Sequence, residues 1–187
     1  LRGLGKRLGP MFLQLPPGFT PAHLPQLQAF LNFWPRDLRL AVEVRHPTFF
    51  SRPHSQELNT LLRQYNVARV IMDSRPIRIG SDVEQQVLQA RERKPDLPVE
   101  LNTTGDIAFV RYIGHPRMEV NEPRLDDWAQ HLTQWLKQGI TPYIFCHCPF
   151  ELYSPVICQA LHQRVRAVVP LPPLPWQAEQ PEQARLF

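Results

Sequence analysis

The stretch "LAVEVRHPTFF", Leu40 to Phe50, decides how this chain is read. It has the apolar density of a buried strand, yet Glu43 and Arg45, two residues apart, fall on one face of it. A carboxylate and a guanidinium on a packed face need a reason, and the neighbouring segments supply one. Four more apolar segments have strand character: "MFLQLP" from Met11, "ARVIMDS" from Ala68, "DIAFVRYIG" from Asp106 and "PYIFCHC" from Pro142.

Helical stripes lie between them. The first carries Leu24, Leu27, Phe30, Leu31 and Trp34; the second carries Leu58, Leu61, Leu62 and Tyr65 and closes at Asn66. Ser81-Asp-Val-Glu84 reads as a capping box that opens a third helix. A fourth holds Leu125, Trp128, Leu132, Trp135 and Leu136 and stops at Gly139. A fifth opens at Ser154-Pro155 and is expected to bury Val156, Ile157, Ala160 and Leu161.

Strand starts spaced by roughly 27 to 40 residues, with one helix between each pair, predict repeated βαβ units and a parallel sheet. An open doubly wound sheet and a (β/α)₈ barrel both satisfy this, the barrel usually needing about 250 residues. The opening "LRGLGKRLGP" reads as the last turns of a helix closed by Gly9-Pro10, with something before it. The preferred fold class is therefore α/β, a parallel (β/α) TIM-type barrel lacking its first strands. Residues 1–167 would form the C-terminal part of the barrel domain. Residues 168–187, rich in Pro, Gln and Glu, read as an extended tail.

Composition bounds the function. At 43% hydrophobic and 20% charged residues, the chain falls among ordinary globular proteins of one domain or part of one. No apolar run approaches the ~20 residues of a membrane span, and no signal peptide is evident, so a cytoplasmic location without membrane attachment is expected. Three cysteines, Cys146, Cys148 and Cys158, give neither a disulfide framework nor a zinc spacing. A net charge of +4 suits anionic ligands, although the basic residues are scattered. Nucleotide-binding glycine loops and the nucleophile elbow are absent from the sequence.

Alternation along the strands gathers the polar residues. Phe12 and Gln14 share a face, as do Ala41, Glu43 and Arg45; Ile71 and Asp73; Phe109, Arg111 and Ile113; Phe145 and His147. Each set ends in a polar group at the C-terminal end of its strand, where parallel α/β proteins bind ligands. Arg45 and Arg111 suit an oxyanion, with Gln14 as a further substrate-binding group. Glu43, Asp73 and His147 are the candidate acid–base residues. The same three could hold a divalent ion, but two nearby arginines compete for the carboxylates, so the metal reading is the weaker and no metal ligand is assigned. A purely structural polar plug, every charge paired, is the alternative to a site. His46, before Pro47, is expected to brace its loop. Cys146 and Cys148 fall opposite His147 and read as packing residues.

The segments "LGPMFLQLPPGF", "AVEVRHPTFF", "NVARVIMDSRP", "FVRYIG" and "TPYIFCHCP", in this order, resemble the YecE-like family, also called domain of unknown function 72. The resemblance covers nearly the whole chain and implies a TIM-type barrel, likened to sugar isomerases by analogy and without an established reaction. It implies family positions at Gln14, Glu43, Arg45, His46, Asp73 and Arg111. Ile113 and His147 depart from the family pattern, which often has His and Asn there.

Two functional expectations follow, beside a non-catalytic binding protein. One is an enzyme with isomerase- or lyase-like acid–base chemistry on a small anionic or polyhydroxylated metabolite, its cofactor requirement open. The other is an accessory protein of nucleic-acid metabolism: the terminal "QARLF" is similar to short peptides that dock on bacterial sliding clamps, through Gln183, Leu186 and Phe187.

Overall fold

A computed structural model describes residues 2–80 and 84–177 of the chain. Ser81 of the expected capping box and the terminal QARLF peptide lie outside the described residues. Five strands, β1 (Met11–Gln14), β2 (Leu40–Glu43), β3 (Ala68–Asp73), β4 (Ile107–Ile113) and β5 (Thr141–His147), form one sheet in sequence order. Every neighbouring pair is parallel.

The sheet is strongly curled. β1 and β4 are three strand positions apart, about 14 Å on a flat sheet at the usual ~4.8 Å spacing. Phe12 and Phe109 nevertheless stack with ring centroids 5.5 Å apart, and Phe109 stacks on Phe145 at 4.9 Å. The concave face that these rings share is lined by Ala41, Ala68, Val70, Ile107 and Phe109. The result is a five-stranded parallel half-barrel, consistent with part of a TIM-like barrel. Among the described residues β1 and β5 are each paired on one side only.

Helices α1 (Leu24–Phe33) and α2 (His54–Gln64) cover one half of the convex face, where Leu27, Leu31, Leu58 and Leu62 bury against Leu40 and Val42. The turn after α2 places Asn66 at φ 52, and its side-chain oxygen accepts from the Asp106 N–H at 2.9 Å. Helices α4 (Met118–Lys137) and α5 (Ser154–Arg166) cover the other half. There Leu125, Trp128, Leu132, Ile157, Leu161 and Val165 pack on Ile71, Val110 and Tyr112. Each fully buried large side chain contributes roughly 1.5–3 kcal/mol, so the two helix–sheet layers hold the half-barrel together. Val156, expected in this core, is instead 47% exposed, because α5 turns only its Ile157–Leu161–Val165 stripe to the sheet.

The connection between β3 and β4 departs from the repeating pattern. Helix α3 (Gln85–Arg93) lies over the C-terminal end of the concave face instead of in the outer layer: Val87 packs on Ile77 and Ile113, with Met72 and Ala90 beside them. Arg91 ties it down by donating to the carbonyls of Ile77 and Gly80, and Arg78 donates to the Lys94 carbonyl at 2.7 Å. The outer position is filled by the extended segment that follows. Val99 joins the α4–α5 core, Glu100 pairs with buried Arg69 at 2.7 Å, and Thr104 Oγ1 donates to the Val67 carbonyl at 2.6 Å.

The two ends of the chain also differ from expectation. The opening segment, Arg2–Arg7, is an exposed 3₁₀ turn kinked at Gly5 where α-helical turns were expected. Of the expected tail, Val169 and Leu171 pack against the α4–α5 core, and the His162 ring meets the Pro172 carbonyl at 2.9 Å. Among the described residues no helix is long and apolar enough to cross a membrane.

Candidate functional site

The register of the first two strands sets Gln14 directly beside Glu43. Arg45, just past β2, folds back so that its Nε donates to Glu43 Oε1 and its Nη2 to Gln14 Oε1, both at 2.7 Å. Arg111 reaches across from β4, its Nη1 donating to Glu43 Oε2 at 2.6 Å, while its guanidinium lies 5.3 Å from the centre of the Phe12 ring. The Glu43 side chain is only 3% exposed and both its oxygens are engaged. That arrangement holds two guanidinium forks at the end of the concave face, and it makes Glu43 a group that positions arginines more than a base.

Two further residues line a cleft of about 250 Å³ between α3 and the end of β5, together with Gln86, Gln89 and Glu151. Lys94, at the end of α3, has its pKa pushed below the ordinary 10.5 first by burial and then by Arg111 and Arg45, with Glu43 opposing. His147, which closes β5, is pushed below 6.5 first by burial and then by Arg111 and Lys94, with Glu151 and Glu43 opposing. His147 is therefore a neutral imidazole at neutral pH, able to accept a proton. Both residues sense Arg111 and Glu43, so cleft and arginine cluster form one electrostatic unit.

Asp73 does not belong to this unit. It pairs in register with Tyr112, faces the helices, and is fully buried. Arg75 donates to it through Nε at 2.9 Å and Nη2 at 2.8 Å, and Trp128 Nε1 of α4 donates at 2.8 Å. The expected face of β3 was off by one residue: Ala68 and Val70 face the concavity, and Ile71 and Asp73 face the helices. Arg69 and Asp73 put the polar residues of β3 on the side that meets the helices, and a parallel strand is covered on both faces, so alternation alone cannot say which one lines the concavity. Glu43, Asp73 and His147 thus do not converge as a metal site. Among the described residues no group of three His, Cys, Asp or Glu does so.

The remaining residues set the loops. His46 Nδ1 accepts from the Thr48 N–H at 3.3 Å and caps the 3₁₀ turn Pro47–Phe50. Beyond β4, Asn121 Oδ1 accepts from the His115 N–H at 2.8 Å and its Nδ2 donates to the His115 carbonyl at 2.7 Å. Cys146 and Cys148 pack in or against the α4–α5 core. The residue that strand reasoning missed is Lys94; it is on no strand, and its only signal is a basic residue before Pro95 at the end of a helix.

The profile described as "Protein of unknown function DUF72" matches residues 1–180. This chain belongs to the DUF72 family. It is 37% identical over 180 residues to the UPF0759 protein YecE of Escherichia coli (strain K12), the match covering 94% of this chain and 66% of that protein. A protein of the same name from Escherichia coli O157:H7 is 36% identical over the same length and shares. The chain thus spans 66% of the length of these curated relatives. Two crystal structures of a DUF72 family protein from Enterococcus faecalis V583 superpose with TM-scores of 0.61 and 0.56 at 14% and 12% identity. Each covers 89% of this chain; this chain covers 63% and 60% of theirs. At such identities the likeness establishes the DUF72 fold alone.

Proposed function

We propose that the strand-end cluster of this DUF72 chain is the binding and acid–base site of an enzyme for a small anionic or polyhydroxylated metabolite. The observation that carries this reading is the charge balance at the mouth of the concave face. Among the described residues Arg45 and Arg111 share one carboxylate, Glu43, and they are electrostatically coupled to a cleft of about 250 Å³ where Arg93 and Lys94 stand with one acid, Glu151. A structural plug would close on itself with its charges matched; this cluster keeps an excess of positive charge beside a cavity. Arg45 and Arg111 would clamp the oxyanion of the substrate, Gln14 would hydrogen-bond it, and His147 would move the proton.

A thermal-shift screen of the full-length protein against small phosphates, carboxylates and sugars tests it, repeated on Arg111→Ala. A ligand at a hundred times its Kd stabilises the native state by about 2.7 kcal/mol. Stabilisation by one anion class, lost in a still-folded Arg111→Ala, supports the site. No stabilisation by any of them, together with a large loss of stability in the variant, would return the cluster to a structural plug.

A further inference from the structure

Of the 21 basic residues of this chain only Lys6, Lys94 and Lys137 are lysines. Lys6 and Lys137 are exposed, Lys137 beside a hollow formed with Ala129 and Val168; Lys94 is the one that shares a cleft with His147. Elsewhere around the mouth the chain uses arginine, which holds anions but does not give up its proton. A lysine in this position supplies what a guanidinium cannot, a nucleophilic amine.

The setting of Lys94 is suited to that role. Its backbone is fixed at both ends, the N–H donating to the Ala90 carbonyl at 2.9 Å and the carbonyl accepting from Arg78 at 2.7 Å. Among the described residues its ammonium has no hydrogen-bond or ion-pair partner. It is half-buried, shares a cleft wall with His147, and lies within electrostatic reach of Arg45 and Arg111. Burial and neighbouring cations lower the pKa of such an amine, the direction that activates imine-forming lysines.

Building on the oxyanion site proposed above, we propose that Lys94 condenses with the carbonyl carbon of an aldehyde or ketone whose carboxylate or phosphate is held by Arg45 and Arg111. The Nζ lone pair forms the C–N bond, the carbonyl oxygen takes up protons and leaves as water, and the product is an imine. No oxidant or reductant is consumed. The imine then withdraws electrons from the neighbouring carbon; a C–H bond there breaks, its electron pair passes into an enamine, and the proton goes to the His147 ring.

The test is reductive trapping in the full-length protein. Pyruvate and dihydroxyacetone phosphate are the carbonyl probes, one bearing a carboxylate and the other a phosphate, each reduced in place with sodium borohydride. Intact mass and peptide mapping locate the adduct. Lactate and glycerol 3-phosphate, which cannot form an imine, are run in parallel by thermal shift. The expected result is a single adduct on Lys94 with one of the two carbonyl probes, lost in Lys94→Arg while the matching non-carbonyl analogue still raises the melting point of that variant. Stabilisation by lactate or glycerol 3-phosphate without an adduct on Lys94, or with labelling spread to Lys6 and Lys137, would overturn the imine and leave the oxyanion site standing. Neither adduct nor stabilisation would overturn both.

Discussion

Arg111 donates to Glu43 at 2.6 Å from two strands away, passing over β3 to reach β2. The contact requires a curled sheet, and it requires β3 to leave the space inside the curl to small or flexible side chains, which Ala68, Val70 and Met72 do. Removing the Glu43 carboxylate would leave two guanidiniums with no counter-charge at a largely buried position. Breaking one partner of a buried pair costs about 3–5 kcal/mol. We expect Glu43→Ala to lose stability of that order in urea unfolding, and added phosphate to restore part of it by occupying the vacated place between the arginines.

Asp73→Asn should behave differently, because Asp73 faces the helices. It would weaken the acceptor for Trp128 Nε1 and leave Arg75 without its ion pair. The Arg75 side chain is 41% exposed, so water takes over much of what it loses, and the cost falls mainly on the buried Trp128 contact, about 1–3 kcal/mol. Anion binding at the strand-end cluster, read by thermal shift, should be unchanged relative to the loss of stability. A loss of anion binding equal to that of Arg111→Ala would mean that Asp73 belongs to the site after all.

These two carboxylates show what the sequence could convey. Four of five strands were assigned the right inward face, because Gln14, Glu43, Arg111 and His147 mark it with polar groups in otherwise apolar text. On β3 one face is apolar, Ala68–Val70–Met72, and the other carries both polar residues, Arg69 and Asp73, around Ile71; those polar residues pulled the reading to the wrong side. Nothing local distinguishes a carboxylate in a cleft from one anchored to a tryptophan on a helix far along the chain. The third helix was legible as a helix but not as the cap of the concave mouth, since its apolar face is short, with Val87 its only buried residue. Lys94 escaped for the same reason: its place depends on where that helix sits.

The pH dependence of stability should carry a signature of His147. Its folded pKa lies below 6.5, driven first by burial and then by Arg111 and Lys94, with Glu151 and Glu43 opposing. Between the folded pKa and 6.5 the unfolded chain binds more protons, so stability rises with pH across that window and is lost as pH falls through it. Urea midpoints followed from about pH 5 to 8 should show this slope, and His147→Asn should flatten it. A slope unchanged in His147→Asn would place its origin in other groups.

Gly114→Ala tests the joint between β4 and the loop that follows the Arg111 strand. A Cβ at Gly114 would stand 2.7 Å from Ile157 Cδ1, 2.9 Å from Asn121 Oδ1 and 3.0 Å from Tyr112 Cε1. Ile157 Cδ1 is the tip of a flexible side chain and can swing aside. Asn121 cannot, because its amide is held by the His115 N–H and carbonyl, the Tyr112 hydroxyl and the Arg117 carbonyl. The loop would have to move instead, at a cost of about 1–3 kcal/mol for an overpacked core position. We expect a lowered melting point in Gly114→Ala and, because Arg111 lies three residues earlier on the same strand, a weaker response to anions. A lowered melting point with the anion response intact would confine the strain to the loop and show that the arginine cluster is held by β1 and β2 independently of it.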